Sequence, residues 1–559
     1  MRTVWIATVS NIDWPQTKGS SASVIATQKK QLTDMLDGFV KANMNSVCLQ
    51  VRPMADALYK SSYEPWSSYL TGTRGKDPGW DPLAFAVEEC HKRGLEINAW
   101  VNPFRFSNSS GTDTQTDIDK AMLKSGILMQ VNERIVFNPG LQASRDHLLK
   151  VCKEMIENYD IDGIIFDDYF YPGGGTPEDS SAPDYQLYKS SGSKLSIGDW
   201  RRANVNETVR QFWEMVQATK PYVKFSIGPA GVAGNKSTSA TKYGVTPVDN
   251  YCSASDWQYK QIYSDPLAWL SDGTIDYISP QLYWKTTHST NPFGPLTKWW
   301  STVAQHFGRH HYASHSLTFL QSSNTSTDWA QVGMQMQYSR TYNKQKASGA
   351  IYYSMCDIDG YKASGVGEWL KRYKYQKVAL PPAIDWKEAQ TYGNVTGLQV
   401  NDGILTWDPI DNVKYTVYAI PESVSHEKAE SSVYGGILST YLLDVTYTNS
   451  FEIPQNKREG YFYAVCIYDG YNNEYAPLYS DDATGIIQMA DNKINIEVEA
   501  WQVNFGNTAD EVMIVSLTGQ VMIHEHNTDN VSLIGLPSGI YVVRAIKGVE
   551  QKTQKIFVR

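Results

Sequence analysis

The sequence lacks the marks of several common functional classes. Its six cysteines, Cys48, Cys90, Cys152, Cys252, Cys356 and Cys466, are scattered, and no two are spaced C-x-x-C. That spacing indicates neither a zinc site nor a disulfide framework, so free buried thiols are expected. No run of about 18 apolar residues occurs, so no transmembrane helix is expected. The formal net charge is −9 without any Lys/Arg run, which argues against nucleic acid and anionic membrane surfaces as partners. Acidic loops with calcium-site spacing and glycine-rich phosphate loops are both missing, so no metal and no other cofactor is expected. A leader peptide is not visible either, because the chain enters a strand almost at once; in an exported protein it would lie outside this sequence.

What the chain does have is length, aromatic side chains and one unusual strand. Its 559 residues are too many for one core and require several domains. Aromatics make up 12% of it, and flat rings suit sugar faces as well as cores. Gly163-Ile164-Ile165-Phe166 is a short apolar run, as expected of a strand covered on both faces. Asp167-Asp168-Tyr169-Phe170-Tyr171 follows at once, and Pro172-Gly173-Gly174-Gly175 then breaks the chain into a loop. In parallel α/β folds chemistry sits at the carboxyl ends of strands. A doublet of acids inside an apolar, aromatic run is costly unless it has a use.

Similar strands are expected at 3–9, 46–52, 96–101, 224–229, 276–284, 311–317 and 349–355. Between them run helices, one with Leu32, Met35, Leu36, Phe39 and Val40 on a face, another with Leu148, Val151, Cys152, Met155 and Ile156. A third carries Val209, Phe212, Trp213 and Val216, with Asp199 expected as its N-cap. Eight strand–helix units predict an α/β chain with a (β/α)8 TIM-like barrel over residues 1–376. An open three-layer sheet would alternate in the same way, but eight units without a phosphate loop favour the barrel. Beyond Pro381-Pro382 the helical periodicity disappears, and alternating segments predict two small all-β sandwich domains, at 381–486 and 490–559.

At the expected barrel mouth, alternation along the strand points Asp167 inward and makes it the leading acid/base candidate, with Asp168 as its neighbour. Glycoside hydrolysis needs a proton donor and a second group. Asp13, Asp56, Glu64, Asp256 and Asp357 are near strand ends or in long loops and could supply that second group; the residues alone do not choose among them. Arg52, Asp56, Asn102, Arg105, Tyr169, Gln281 and Tyr283 have heads suited to gripping hydroxyls, and Trp14, Trp66, Trp100 and Trp284 are candidate stacking platforms.

Asp162-Gly163-Ile164-Ile165-Phe166-Asp167-Asp168-Tyr169 is similar in outline to the D-G-x-D-x-D-x-E strand of family 18 chitinases, whose substrates supply their own acetamide as nucleophile. Tyr169 stands where the chitinase acid is Glu, so the resemblance implies a proton donor shifted to Asp167 or Asp168. W-D-P at 407–409, Y-T-V-Y at 415–418 and Y-F-Y-A-V at 461–465 resemble fibronectin type III domains. Leu536-Pro537-Ser538-Gly539-Ile540-Tyr541 resembles the sorting domain of type IX secretion substrates, which implies secretion machinery as a partner and a secreted, cell-surface or periplasmic protein. V-W-I-A-T-V-S-N-I-D-W-P at 4–15, L-Q-V-R-P-M-A-D-A-L-Y at 49–59, H-K-R-G-L-E-I-N-A-W-V-N-P-F-R at 91–105 and I-D-Y-I-S-P-Q-L-Y-W at 275–284 complete a set. Together with the acidic strand they resemble the glycosyl-hydrolase-like 10 family of bacterial proteins. The resemblance implies a TIM-like barrel that cleaves a polysaccharide, with peptidoglycan glycan strands, notably those stripped of peptide stems, as the expected substrate. The alternative is a non-catalytic carbohydrate-binding surface protein on the same scaffold, which would need the aromatics but no ionisable Asp167.

Overall fold

The computed structural model describes residues 1–107, 116–233, 238–248, 257–322, 326–343, 349–355, 365–387, 389–432, 435–481, 495–499, 501–547 and 550–558. Asp256, Asp357, Cys252 and Cys356 lie outside the described residues; Cys48, Cys90, Cys152 and Cys466 are free and buried. Residues 1–483 and 484–559 form two compact units.

The first unit begins with eight strands, β1 (Arg2–Ile6), β2 (Ser46–Arg52), β3 (Glu96–Val101), β4 (Gly163–Phe166), β5 (Lys224–Ile227), β6 (Tyr277–Ile278), β7 in two pieces (His310–His311 and Ala313–Ser316) and β8 (Ala350–Tyr353). All pairings are parallel, in the order β7–β6–β5–β4–β3–β2–β1–β8–β7. The first piece of β7 pairs with β6 and the second with β8, which closes the barrel. Helices α1 (Ala22–Lys41), α2 (Pro82–His91), α3 (Gln142–Asn158), α4 (Ile197–Thr219), α5 (Pro266–Ser271), α6 (Phe293–His306), α7 (Ser326–Asn343) and α8 (Val366–Tyr373) follow the strands in turn.

Alternation along the strands builds two cores. Val4, Ile6, Val47, Leu49, Ile164 and Phe166 face the helices and meet Leu36, Phe39, Val209 and Phe212. Trp5, Cys48, Trp100, Ile165, Tyr277 and Ile351 fill the barrel itself. Trp5 and Trp100 meet edge to face at 4.8 Å, forming an aromatic floor beneath the mouth. The N-cap of α4 is Ser196, not Asp199: the extended Ser196 accepts the Asp199 N–H. Asp199 sits one turn in, where its charge complements the helix N-terminus.

After β3 the chain makes a three-stranded antiparallel excursion, Arg105–Ser107, Leu128–Val131 and Arg134–Phe137, before entering α3. Beyond the barrel, β9 (Gln399–Asn401), β10 (Ile404–Thr406) and β13 (Ser450–Glu452) form one sheet. The second sheet comprises β11 (Lys414–Pro421), β12 (Leu442–Thr446), β14 (Tyr461–Tyr468) and β15 (Leu478–Tyr479). Leu405 from the first and Val417 and Val465 from the second share one core, so the segment is a sandwich.

This sandwich docks on the amino-terminal rim of the barrel strands. Lys414 Nζ donates to Glu96 Oε1 at 2.9 Å, beside Lys224 at 2.7 Å. Tyr447 donates to Asp162 at 3.0 Å and stacks on His91 at 3.7 Å. From the linker, Trp386 Nε1 donates to Asp276 at 3.2 Å, and Lys387 pairs with the same carboxylate. In the second unit five strands, β16 (Glu497–Glu499), β17 (Gln502–Ser516), β18 (Val521–Ser532), β19 (Gly539–Lys547) and β20 (Glu550–Val558), form an antiparallel sheet around Val503, Phe505, Ile514, Tyr541 and Val543.

Candidate active site

The carboxyl ends of the strands converge on the doublet. Ile165 points into the barrel, so the pleat also turns Asp167 inward, over Trp100. Trp100 Nε1 and Asn102 Nδ2 both donate to Asp167 Oδ2, at 3.1 and 3.2 Å. Among the described residues Oδ1 receives a long contact, 3.5 Å, from the Tyr169 N–H. Burial pushes the Asp167 carboxyl up from its ordinary 3.8 to about 6, against the pull of the Arg105 guanidinium and the two donors. Asp168 is buried as well and is pushed further, to about 7, first by burial and then by the charge of Asp167. Its side chain is hydrogen-bonded by Gln281, whose Nε2 also donates to the Gly228 carbonyl at 2.9 Å. Adjacent carboxyls in one buried site resist double ionisation, so near neutrality the pair holds a proton, with Asp168 the tighter holder.

Around the doublet stand Tyr283, Ser314 and Tyr353. Tyr283 stacks on Tyr353 at 5.6 Å, and its hydroxyl is 3.5 Å from Ser314 Oγ, which also accepts from Trp5 Nε1 at 3.0 Å. Trp284 is half-buried, and its ring and the Gln281 carbonyl lie against Gly231 so closely that a Cβ there would collide. Tyr169 projects outward, 45% exposed, under the Arg105 guanidinium at 4.1 Å. Past Tyr169 opens a cleft of about 310 Å³ between the strand-four loop and the excursion.

Several expected site residues lie elsewhere. Arg52 does not reach the mouth. Alternation from Cys48 and Gln50 would turn it inward, but the register slips between Gln50 and Arg52, which sets it opposite outward-facing Val101. It is fully buried, with Nε and Nη2 donating to Glu64 at 2.8 and 2.6 Å and Nη1 donating to the Asn102 carbonyl. Arg52 thus holds the loop that carries Asn102. Glu64 is correspondingly held ionised, about 2, despite its burial, by Arg52 and His147. Asp56 is likewise enclosed, paired with Arg74 at 3.3 Å, and Asp13 accepts from the Ala7 N–H at 2.7 Å and Ser354 Oγ at 2.9 Å. These three carboxylates serve the scaffold and none is open to a substrate. Trp14 is core, its Nε1 donating to the Gln28 carbonyl, and Trp66 is half-buried against the same core. Trp5, Ser314 and Arg134 were not expected at the site; strand parity could have found the first two.

Residues 1–330 match the family model Glycosyl hydrolase-like 10, and residues 490–559 match a secretion system C-terminal sorting domain. The sorting domain marks a secreted or cell-surface protein. Among the described residues no helix is long and apolar enough to cross a membrane. The chain is 36% identical over 397 residues to "Glycosyl hydrolase YngK" of Bacillus subtilis, covering 69% of this chain and 74% of that one. Against "Glycosyl hydrolase DigH" of Escherichia coli K12 it is 33% identical over 322 residues, covering 55% and 70%. A solved glycoside hydrolase domain, PgaB (BpsB) from Bordetella bronchiseptica, overlays 66% of the chain and 98% of its own at 11% identity, TM-score 0.43; the barrel assignment rests on the strand order itself. The chain therefore belongs to the glycosyl hydrolase-like 10 family and is a glycoside hydrolase.

Proposed function

We propose that this hydrolase cleaves the glycan strands of peptidoglycan, with Asp168 as proton donor and Asp167 as its ionised partner. The observation that carries the catalytic part is the buried doublet at the end of β4, with carboxyls at about 6 and about 7. A general acid works best with a value near the operating pH, and the higher of two paired carboxyls keeps the proton. For the substrate, the reading takes what the sequence resemblance to the glycosyl-hydrolase-like 10 family implies. Asn102, Arg105, Tyr169, Gln281 and Tyr283 stand near the doublet and, together with Trp284, would line the sugar subsites.

A substrate-assisted route fits the described carboxylates. Among the described residues the candidates Asp13, Asp56 and Glu64 are enclosed, and in this route the sugar's own acetamide is the nucleophile. Asp168 gives its proton to the glycosidic oxygen as the bond to C1 breaks. The acetamide carbonyl oxygen closes on C1, and the positive charge spreads onto the acetamide nitrogen, where the Asp167 carboxylate accepts the N–H. Water then attacks C1, returning a proton to Asp168 and restoring the acetamide with retained stereochemistry. Trp100 and Asn102 hold Asp167 for that contact from below. The barrel would span 1–376, the first sandwich 381–486 and the sorting domain 490–559.

The test is digestion of stem-free and stem-bearing peptidoglycan by wild type, Asp167→Asn and Asp168→Asn, with products read by mass spectrometry. Cleavage of the stem-free strands, lost in both variants, is expected. The pH profile of kcat/KM should be a narrow bell, falling below about 6 and above about 7. Full activity of Asp168→Asn would move the acid elsewhere, and no cleavage of either glycan would overturn the substrate.

A further inference from the structure

The cleft beside the doublet carries positive charge, and the Arg134 part of it has no role in the hydrolysis steps. Arg105 and Arg134 line it with Tyr169 and Pro172. They come from two strands of the excursion, which pair with Arg105 opposite Val136. Arg134 is exposed and donates from Nη1 to the Gly173 carbonyl at 3.0 Å, which fixes its head over the strand-four loop. Arg105 sits over the Tyr169 ring, its guanidinium carbon 4.1 Å from the ring centre. Among the described residues neither guanidinium forms an ion pair. A neutral polysaccharide would offer these heads only hydroxyls and amides. A carboxylate would offer two oxygens in the plane that a guanidinium fork matches.

We infer that this cleft is a subsite for a carboxylate carried by the sugar, gripped by Arg134 with Arg105 behind it. The inference rests on the peptidoglycan reading and sharpens it. In a strand without peptide stems each N-acetylmuramic acid residue bears a free lactyl carboxylate. A peptide stem converts that same carboxyl into an amide and removes its charge. The arginine pair therefore gives a chemical reason for preferring bare strands, beyond the room a stem would need.

The test uses the full chain carrying Asp168→Asn, to stop turnover, and calorimetric binding of a stem-free tetrasaccharide of alternating N-acetylglucosamine and N-acetylmuramic acid. The second probe is the same fragment with its lactyl carboxyls converted to carboxamides. The acid should bind about tenfold tighter than the amide, as one charge-assisted contact gives. Adding Arg134→Gln should abolish that preference by weakening the acid alone, while Arg134→Lys keeps part of it. Equal affinity for both fragments in the parent protein would overturn the subsite. So would an Arg134→Gln loss shared by acid and amide. The two readings fail separately: carboxylate-dependent binding without wild-type turnover of bare strands would overturn the substrate and keep the subsite. Turnover without any carboxylate preference in binding would do the reverse.

Discussion

Replacing Asp168 by Asn should make the protein more stable at neutral pH while removing most of its activity. An acid whose value is higher folded than unfolded binds its proton more tightly in the native state. The native state is then favoured at low pH, and stability is lost as pH rises from about 4 through about 7. A rise from 3.8 to about 7 is roughly three pKa units, each worth about 1.4 kcal/mol. The buried carboxyl therefore costs on the order of 4 kcal/mol at pH 8, and the isosteric amide does not carry that cost. At pH 4 wild type and variant should unfold at nearly the same temperature; at pH 8 Asp168→Asn should unfold several degrees higher. Turnover should fall by roughly 10²–10⁴-fold, as for loss of a general acid. Scanning calorimetry at the two pH values, with turnover measured alongside, checks both halves. A variant no more stable than wild type at pH 8, or stabilised equally at both pH values, would refute the electrostatic reasoning.

Other substitutions probe the frame around the doublet. Glu64→Gln leaves the Arg52 charge buried and uncompensated, and denaturant titration should show a loss of about 3–5 kcal/mol. Asn102→Ala removes one of the two donors to Asp167 Oδ2, so that carboxyl should ionise at higher pH and the acid limb of kcat/KM should move upward. Lys414→Met takes one cation from Glu96 and should lower the unfolding temperature of the first unit, with turnover at 25 °C unchanged, because the contact lies on the rim opposite the chemistry.

The barrel is legible in the sequence because its strands are apolar on both faces and its helices carry continuous apolar stripes. Period two from Ile165 also points Asp167 inward. The fate of Arg52 is not legible. A one-residue register slip leaves no trace in residue types, yet it turns a side chain from one face to the other. Glu64 and Asp56 read as ordinary loop acids, since their partners Arg52 and Arg74 are fixed only by the folded loops. Asp199 has the residue type of an N-cap, and only the extended backbone of Ser196 three places earlier decides against it. Arg134 lies in a segment with no helical stripe, and nothing local shows that it folds back over the strand-four loop.

The docking of the sandwich bears on how such a chain can be inherited. Glu96 and Asp276 are buried acids on the barrel floor, and each draws a lysine, Lys414 or Lys387, from sequence beyond the barrel. Glu96 and Lys414 are 318 positions apart in the chain. A barrel shuffled onto a different downstream partner would lose both cations at once unless the newcomer presented lysines at the same two places. Barrel and sandwich are thus tied by two buried contacts of opposite charge, and a change at Glu96 or Asp276 bears on Lys414 or Lys387 as well.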